Sequence, residues 1–468
     1  MKLSSYYKLI GFHVLLGVGV FLYRPMALAF FLLTSLYFTY KIVFADKTLK
    51  TFYVLLACAY VVGSEVFLRM NGGTVFYEAS KYLVIAFAAL GLFSNGFSNK
   101  ALIYVIYILL LIPGIYVAVS SLGFESDIRR AVAFNLSGPV CLGIAAIFCY
   151  KRTVPFKQLK AILIALLLPL VSMAVYLFLY TPDLQEVIRG TESNYAASGG
   201  FGPNQVATVL GIGIFVAATK FFMSKELMHH RLIDLFLLGL FGFRALVTFS
   251  RGGVITAMIM ILFFLGLYYI KVNLKTKFKI KFSVVAFLMM VGLVWIVSSI
   301  QTSGFLDMRY ANQDAAGREK ADVTTGRIDL LAYELGSFME NPFLGIGVGK
   351  IKELRKDETG VEAASHNEMS RIIAEHGLFG VFAFLILLIT PLVFRFNNRS
   401  NLFFYSFYIF WLLTINHSAM RIAAPAFIYA LCLLHVTYEG RMIDGRPKTV
   451  DGRPKTEDPR AKNEEPRL

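Results

Sequence analysis

The chain has 468 residues, 57% of them hydrophobic and only 16% charged, whereas soluble domains carry about 25% charged residues. A formal charge of +16 would suit a nucleic-acid partner if the cations formed a patch; they sit instead in short loops between apolar runs, which excludes that class. The composition is that of a polytopic membrane protein.

Apolar segments near the roughly 20 residues needed to cross hydrocarbon recur along the chain. They are expected at about 7–23, 26–44, 52–68, 75–93, 101–122, 131–150, 161–180, 205–222, 232–249, 252–270, 282–300, 377–394, 402–417 and 421–438. The first has a weak basic start (Lys2, Lys8) and no small-residue cleavage site, so it reads as a span and not as a signal peptide. The fold class is therefore all-α and polytopic, with 12–14 transmembrane helices and one large structured periplasmic loop. Cys58, Cys141, Cys149 and Cys432 all fall inside apolar segments without metal spacing and read as packing residues.

Lysines and arginines cluster in alternate loops: Lys41, Lys47 and Lys50; then Lys151, Arg152, Lys157 and Lys160; then Lys220, Lys225 and Arg231; then five lysines from Lys271 to Lys281. Positive loops stay cytoplasmic, which puts both termini in the cytoplasm and leaves 181–204 and 301–376 outside. The chain divides accordingly into 1–204, the N-terminal helices; 205–300, the central helices; 301–376, a large periplasmic loop expected to carry any catalytic site; 377–438, the C-terminal helices; and 439–468, a tail. The tail repeats DGRPKT at 444–449 and 451–456, nearly balances its charges and reads as disordered.

Five positions in or near the outer segments stand out. Arg244, inside an apolar span, costs about 2.5–3.5 kcal/mol if central and is either functional or snorkelling. Arg251, in the turn Ser250-Arg251-Gly252-Gly253, either snorkels to headgroups or grips a diphosphate in the space its glycines leave. The segment 301–376 is too long for a plain connector. Within it Ile328, Leu331, Ala332, Leu335 and Phe338 have the spacing of an amphipathic helix that Asn341-Pro342 ends. Arg327 opens that helix, where a cation opposes the dipole and a bound anion would relieve the conflict; a solvated surface arginine fits the same pattern equally well. Gly345, Gly347 and Gly349 alternate in a turn that either is merely flexible or lets a sugar or phosphate approach bare backbone. Ser365 with Glu368 has the form of a capping box, which puts His366 in a first helical turn, held neutral and able to accept a proton. A structural histidine fits the same pattern.

SRGG at 250–253, TTGR at 324–327 leading into ENPFLGIGVG at 340–349, SHNEMSRIIAEHGLFG at 365–380 and GPNQVA at 202–207 together resemble the O-antigen ligase and polymerase family of bacterial membrane proteins. The resemblance covers roughly 200–395. It implies transfer of a glycan from an undecaprenyl-diphosphate carrier to an acceptor hydroxyl at the periplasmic face of the inner membrane, with lipid A-core as the acceptor of a ligase. It implies His366 as the base and Arg251 and Arg327 as essential arginines. Asn204 and Asn367, from the matching motifs, join Arg244, Gly345 and Gly347 as the expected substrate-binding set. No cofactor and no metal are expected; the partners are the lipid-linked donor, a glycolipid or glycan acceptor and membrane lipids.

Three other readings stay open. A polymerase or a protein O-oligosaccharyltransferase would share the mechanism, and Arg189 and Gly200 have the Arg-x10-Gly spacing of some polymerases. A metal-dependent glycosyltransferase would need Glu125 and Asp127, which may simply offset Arg129 and Arg130. A lipid-linked glycan transporter would use intramembrane Glu65, Asp234 and Arg244, but the chain shows no repeat between halves.

Overall fold

The computed structural model describes residues 3–438 except 125, 182, 225–227, 321–325 and 361–364. Glu125, Lys225, Thr324, Thr325, Glu362 and the tail from Glu439 thus lie outside the described residues.

The first half contributes α1 (Leu3–Leu22), α2 (Pro25–Val43), α3 (Lys47–Met70), α4 (Ala79–Asn95), α5 (Leu102–Leu109), α6 (Ile112–Ser121), α7 (Ile128–Cys149) and α8 (Phe156–Tyr180). A four-residue α9 (Leu184–Val187) leads to α10 (Pro203–Met223), α11 (Met228–Leu246), α12 (Arg251–Lys271) and α13 (Leu274–Gln301). Then come three shorter helices, α14 (Phe305–Tyr310), α15 (Arg327–Glu340) and α16 (Lys350–Thr359), and finally α17 (Glu368–Asn397), α18 (Phe404–His417) and α19 (Ala424–Leu431). Among the described residues ten helical stretches are long and apolar enough to cross a membrane, with α5 and α6 counted as one. The other four expected spans are also helical, as α4, α11, α18 and α19. The chain is an all-α, multi-pass membrane protein.

The last expected span, 421–438, is shorter than hydropathy suggests. Its helix stops at Leu431, and His435–Thr437 forms a strand, β2, parallel to β1 (Thr153–Pro155) in register Thr153↔His435. The chain direction through the intervening helices then gathers the lysine-rich loops at the β1–β2 end of the bundle. The loops after α8, α11, α13 and α18 come together at the opposite end.

Two breaks position that opposite end. The stretch 101–122 is interrupted at Leu110–Leu111, and Gly114 just beyond gives room to His376: a Cβ there would lie 2.2 Å from the imidazole Nδ1. The second break is Gly377, with φ of 61°, which splits α17 where the sequence starts its span. The turn 342–349 packs into this kink backbone to backbone. Ile346 N–H donates to Ala374 O (3.0 Å), Gly347 N–H to Glu375 O (3.1 Å), and Leu378 N–H to Pro342 O (2.7 Å). These bonds satisfy carbonyls that the kink would otherwise orphan. A Cβ on Gly345 would meet the Glu375 carbonyl carbon at 2.5 Å, and one on Gly347 would meet Ser121 and Ala118 within 3 Å. The alternating glycines thus admit α17 and α6 to bare backbone.

Candidate active site

At the end of the bundle away from β1 and β2, a cavity of about 300 Å³ collects residues from seven separate stretches of the chain. Arg251, Arg327, His366, Asn204 and Asn367 all line it, as do Arg309, Asn416 and His417. Arg244, Gly345 and Gly347 do not. Because Asn204, Arg251, Asn416 and His417 come from helix ends, the cavity belongs to the bundle as much as to 301–376.

Arg251 is the first residue of α12, after Phe249 in a left-handed conformation (φ 59°). Ser250 Oγ donates to Asn204 Oδ1 at 2.8 Å, which ties this turn to the start of α10. The two glycines after Arg251 do not leave open space. A Cβ on Gly252 would lie 2.6 Å from His417 Cδ2, and one on Gly253 would lie 2.3 Å from the Ala207 carbonyl. They let α12 press against α10 and α18, and so bring Arg251, Asn204 and His417 to one wall.

Arg309, at the end of α14, is buried. Its Nε donates to Phe249 O (3.2 Å), its carbonyl receives Arg251 Nη1 (3.4 Å), and its Nη1 lies 3.7 Å from Glu192. Arg327 stands at the cavity mouth, its side chain still reaching solvent. Partial desolvation by the surrounding protein, then the charge of Arg251, pulls the Arg327 guanidinium below its ordinary value. Desolvation and Arg251 do the same to Arg309, with Arg327 adding to the effect and Glu192 opposing it. Guanidinium groups stay charged regardless. Three mutually repelling cations therefore face one cavity, and among its described lining residues there is no carboxylate. Glu192 lies beside the wall, largely exposed, and shares itself between Arg309 and Lys320.

His366 is placed differently from the capping-box expectation. The N-cap of α17 is Asn367, whose Oδ1 accepts from Met369 N–H (3.0 Å) and Ser370 N–H (3.3 Å). Ser365 instead turns its hydroxyl onto the Asn367 backbone. His366 thus precedes the helix by two residues and is half-buried in the cavity wall. Burial, then the charges of Arg421, Arg327, Arg355 and His417, push its imidazole down to about 4. The ring is neutral at physiological pH, as expected, but neighbouring arginines contribute where a helix dipole was invoked.

The backbone before His366 is held by a buried network. Arg421 Nη2 donates to Ser365 O at 2.8 Å. The Arg421 carbonyl accepts from Arg69 Nη1 (3.0 Å), and Ala423 N–H donates to Glu65 Oε2 (2.7 Å). Glu65 and Arg69 form a fully buried ion pair at 3.1 Å on α3. Glu368 pairs with Arg371 and also accepts from Met420 N–H (3.2 Å). Glu65 is thereby a brace for the 420–423 turn, and Asp234 is paired with Lys220 (2.8 Å), so neither stands as a lone intramembrane charge. Arg244 differs: it is buried in α11, and its Nε and Nη2 have no hydrogen-bond partner among the described residues.

Sequence reasoning missed Arg309, Asn416, His417 and Arg421. Arg421 was absorbed into an apolar run, although a charge beside His417-Ser418 at a span's end is a legible sign of a turn. Asp127 is occupied as the N-cap of α7, accepting from Arg130 N–H at 2.9 Å.

Residues 236–385 match the family model described as O-antigen ligase. Over this stretch, about a third of its length, the chain is similar to the O-antigen ligase family. The matched stretch carries Arg244, Arg251, Arg309, Arg327 and His366, while Asn204, His417 and Arg421 fall outside it. No curated protein matches the chain. The matched segment thus supplies these arginines and His366, and helices on either side of it in sequence complete the cavity.

Proposed function

We propose that the cavity transfers a glycan from a lipid diphosphate, most simply undecaprenyl diphosphate, to an acceptor hydroxyl at the periplasmic face, as an O-antigen ligase acting on lipid A-core. The observation that carries this reading is the meeting of three arginines and one neutral histidine at a carboxylate-free wall. Such a wall favours a multiply charged anion and leaves a base beside it.

The chemistry needs no nucleotide, because the anomeric carbon already carries its leaving group. The acceptor oxygen forms the new bond to that carbon as the bond to the diphosphate oxygen breaks. The acceptor's proton passes to His366, and the electron pair stays on the diphosphate, where Arg251, Arg309 and Arg327 offset the growing charge. Asn204 and Asn367 sit where they can orient sugar hydroxyls. A single displacement of this kind inverts the anomeric configuration.

The deciding assay uses purified protein in lipid with a defined lipid-diphosphate donor and three acceptors: lipid A-core, a second lipid-linked repeat unit, and a peptide bearing hydroxyls. Transfer to lipid A-core is expected. Elongation of the lipid-linked unit alone would make the chain a polymerase, and no transfer from any diphosphate donor would remove the reading. Transfer should persist in excess chelator, because arginines supply the charge stabilisation. Loss on chelation with recovery in magnesium or manganese would point to a metal-dependent enzyme.

Sidedness follows from the charge pattern. A cysteine placed at Asn312 should be labelled by an impermeant reagent added outside spheroplasts, and one within Lys271–Lys281 should not. The reverse labelling would put His366 in the cytoplasm.

A further inference from the structure

The amphipathic helix of the 301–376 segment packs with the opposite face from the one its pattern leads one to expect. In α15 the side turned to the protein carries Glu334 and Ser337, both buried, with Glu334 accepting a hydrogen bond from Ser370 at the start of α17. Leu331 and Phe338 are half-buried, but the rest of the apolar side faces away: Ile328 is 61% exposed, Leu335 40% and Met339 74%, and Phe343 beyond the helix is 72% exposed. These positions recur at i, i+7 and i+11 and form one line along the helix. Asp329, Gly336 and Glu340 are also exposed, on a stripe about 100° round the axis. In water such a helix would expose a contiguous apolar strip for no return.

Its surroundings identify what covers the strip. α15 lies against α17 at the level where that helix enters its membrane-spanning part. Its other long side faces α6 across a polar cleft lined by Ser121, Tyr333, Gly336, Ser337, Glu340 and Lys350. On α6, Tyr116 is 81% and Val119 60% exposed within an apolar segment that crosses the bilayer. Exposed apolar side chains of α6 and of α15 thus flank this cleft, with the polar Gly336–Glu340 side of α15 turned toward it.

We propose that α15 lies in the bilayer interface, its Ile328–Leu335–Met339 stripe among phospholipid acyl chains and its Asp329–Gly336–Glu340 stripe toward water. An interfacial helix of this kind buries its apolar side about 5–10 Å below the headgroups. Since Arg327 begins the same helix and lines the cavity, the cavity mouth then opens at headgroup level. A lipid diphosphate could reach it there without leaving the membrane.

Nitroxide scanning in lipid nanodiscs tests this without any turnover, so its outcome is separate from that of the proposed transfer reaction. Cysteines would be placed at Leu335, Gly336, Met339 and Glu340, with Asn312 as the aqueous reference. The four described native cysteines are all buried, which keeps background labelling low. Probes at 335 and 339 should collide with oxygen in preference to a water-soluble nickel chelate, and those at 336 and 340 should show the reverse. Nickel access at 335 and 339 equal to that at Asn312 would overturn the proposal, as would uniform values along all four positions.

Discussion

His366→Ala should lower glycan transfer by about 10²–10⁴-fold, the usual contribution of a positioned base, while lipid-diphosphate binding persists. The imidazole lines the cavity but makes no described hydrogen bond that supports the fold, so the variant should insert and fold normally. The pH dependence offers a second reading of the same group. Burial and the surrounding arginines push it down to about 4. A lowered value means that the proton leaves at lower pH, so the base form is present from about pH 4 upward and is lost only below that. The acid limb of kcat/KM, which reports the free enzyme, should therefore lie well below the ordinary histidine range. Bound diphosphate brings negative charge toward Arg327 and Arg251 and offsets part of their effect, so the acid limb of kcat should lie higher. Donor binding would thus strengthen the base when it is needed. A purified variant with near-normal turnover at neutral pH would remove His366 from this role. The next group to test would be His417, the other imidazole of the cavity, because Glu368 is locked by Arg371 and the Met420 amide.

Much of the architecture was legible because hydropathy and loop charge are properties of the chain itself. Each of the 14 expected spans contains helix, although 421–438 is helical only over Ala424–Leu431, and Asn341 does end α15. What failed was anything that depends on which neighbour a residue meets. Ser365 and Glu368 had the spacing of a capping box, yet Asn367 is the better-placed cap and Glu368 is taken by Arg371. The glycines of SRGG and of the 345–349 turn signalled close approach, but sequence does not say to what; both sets meet neighbouring helices of the protein itself. Periodicity identified the apolar stripe of α15 and could not tell whether protein or lipid receives it. Arg309 and Arg421 carry no local motif at all. Their place depends on contacts with Phe249 and Ser365, 60 and 56 residues away in the chain.

Arg251→Lys should be nearly as damaging as its removal, lowering transfer by about 10²-fold or more. Arg251 sits at the centre of the cationic wall, where its charge acts on Arg327, Arg309 and Glu192. Lysine keeps that charge but concentrates it at one point and cannot offer two parallel donors to neighbouring phosphate oxygens. It also loses the contact from Nη1 to the Arg309 carbonyl that fixes the side chain against the wall. The loss should appear in kcat as well as in donor KM, because charge on the departing diphosphate grows in the transition state and needs the strongest grip there. Arg327→Ala should act mainly on donor KM, since that side chain stands at the mouth and is partly solvated. The contrast between the two is the informative measurement. If Arg251→Lys changed only KM, Arg251 would be a docking cation, and stabilisation of the leaving group would fall to Arg309, the more deeply buried arginine of the same wall.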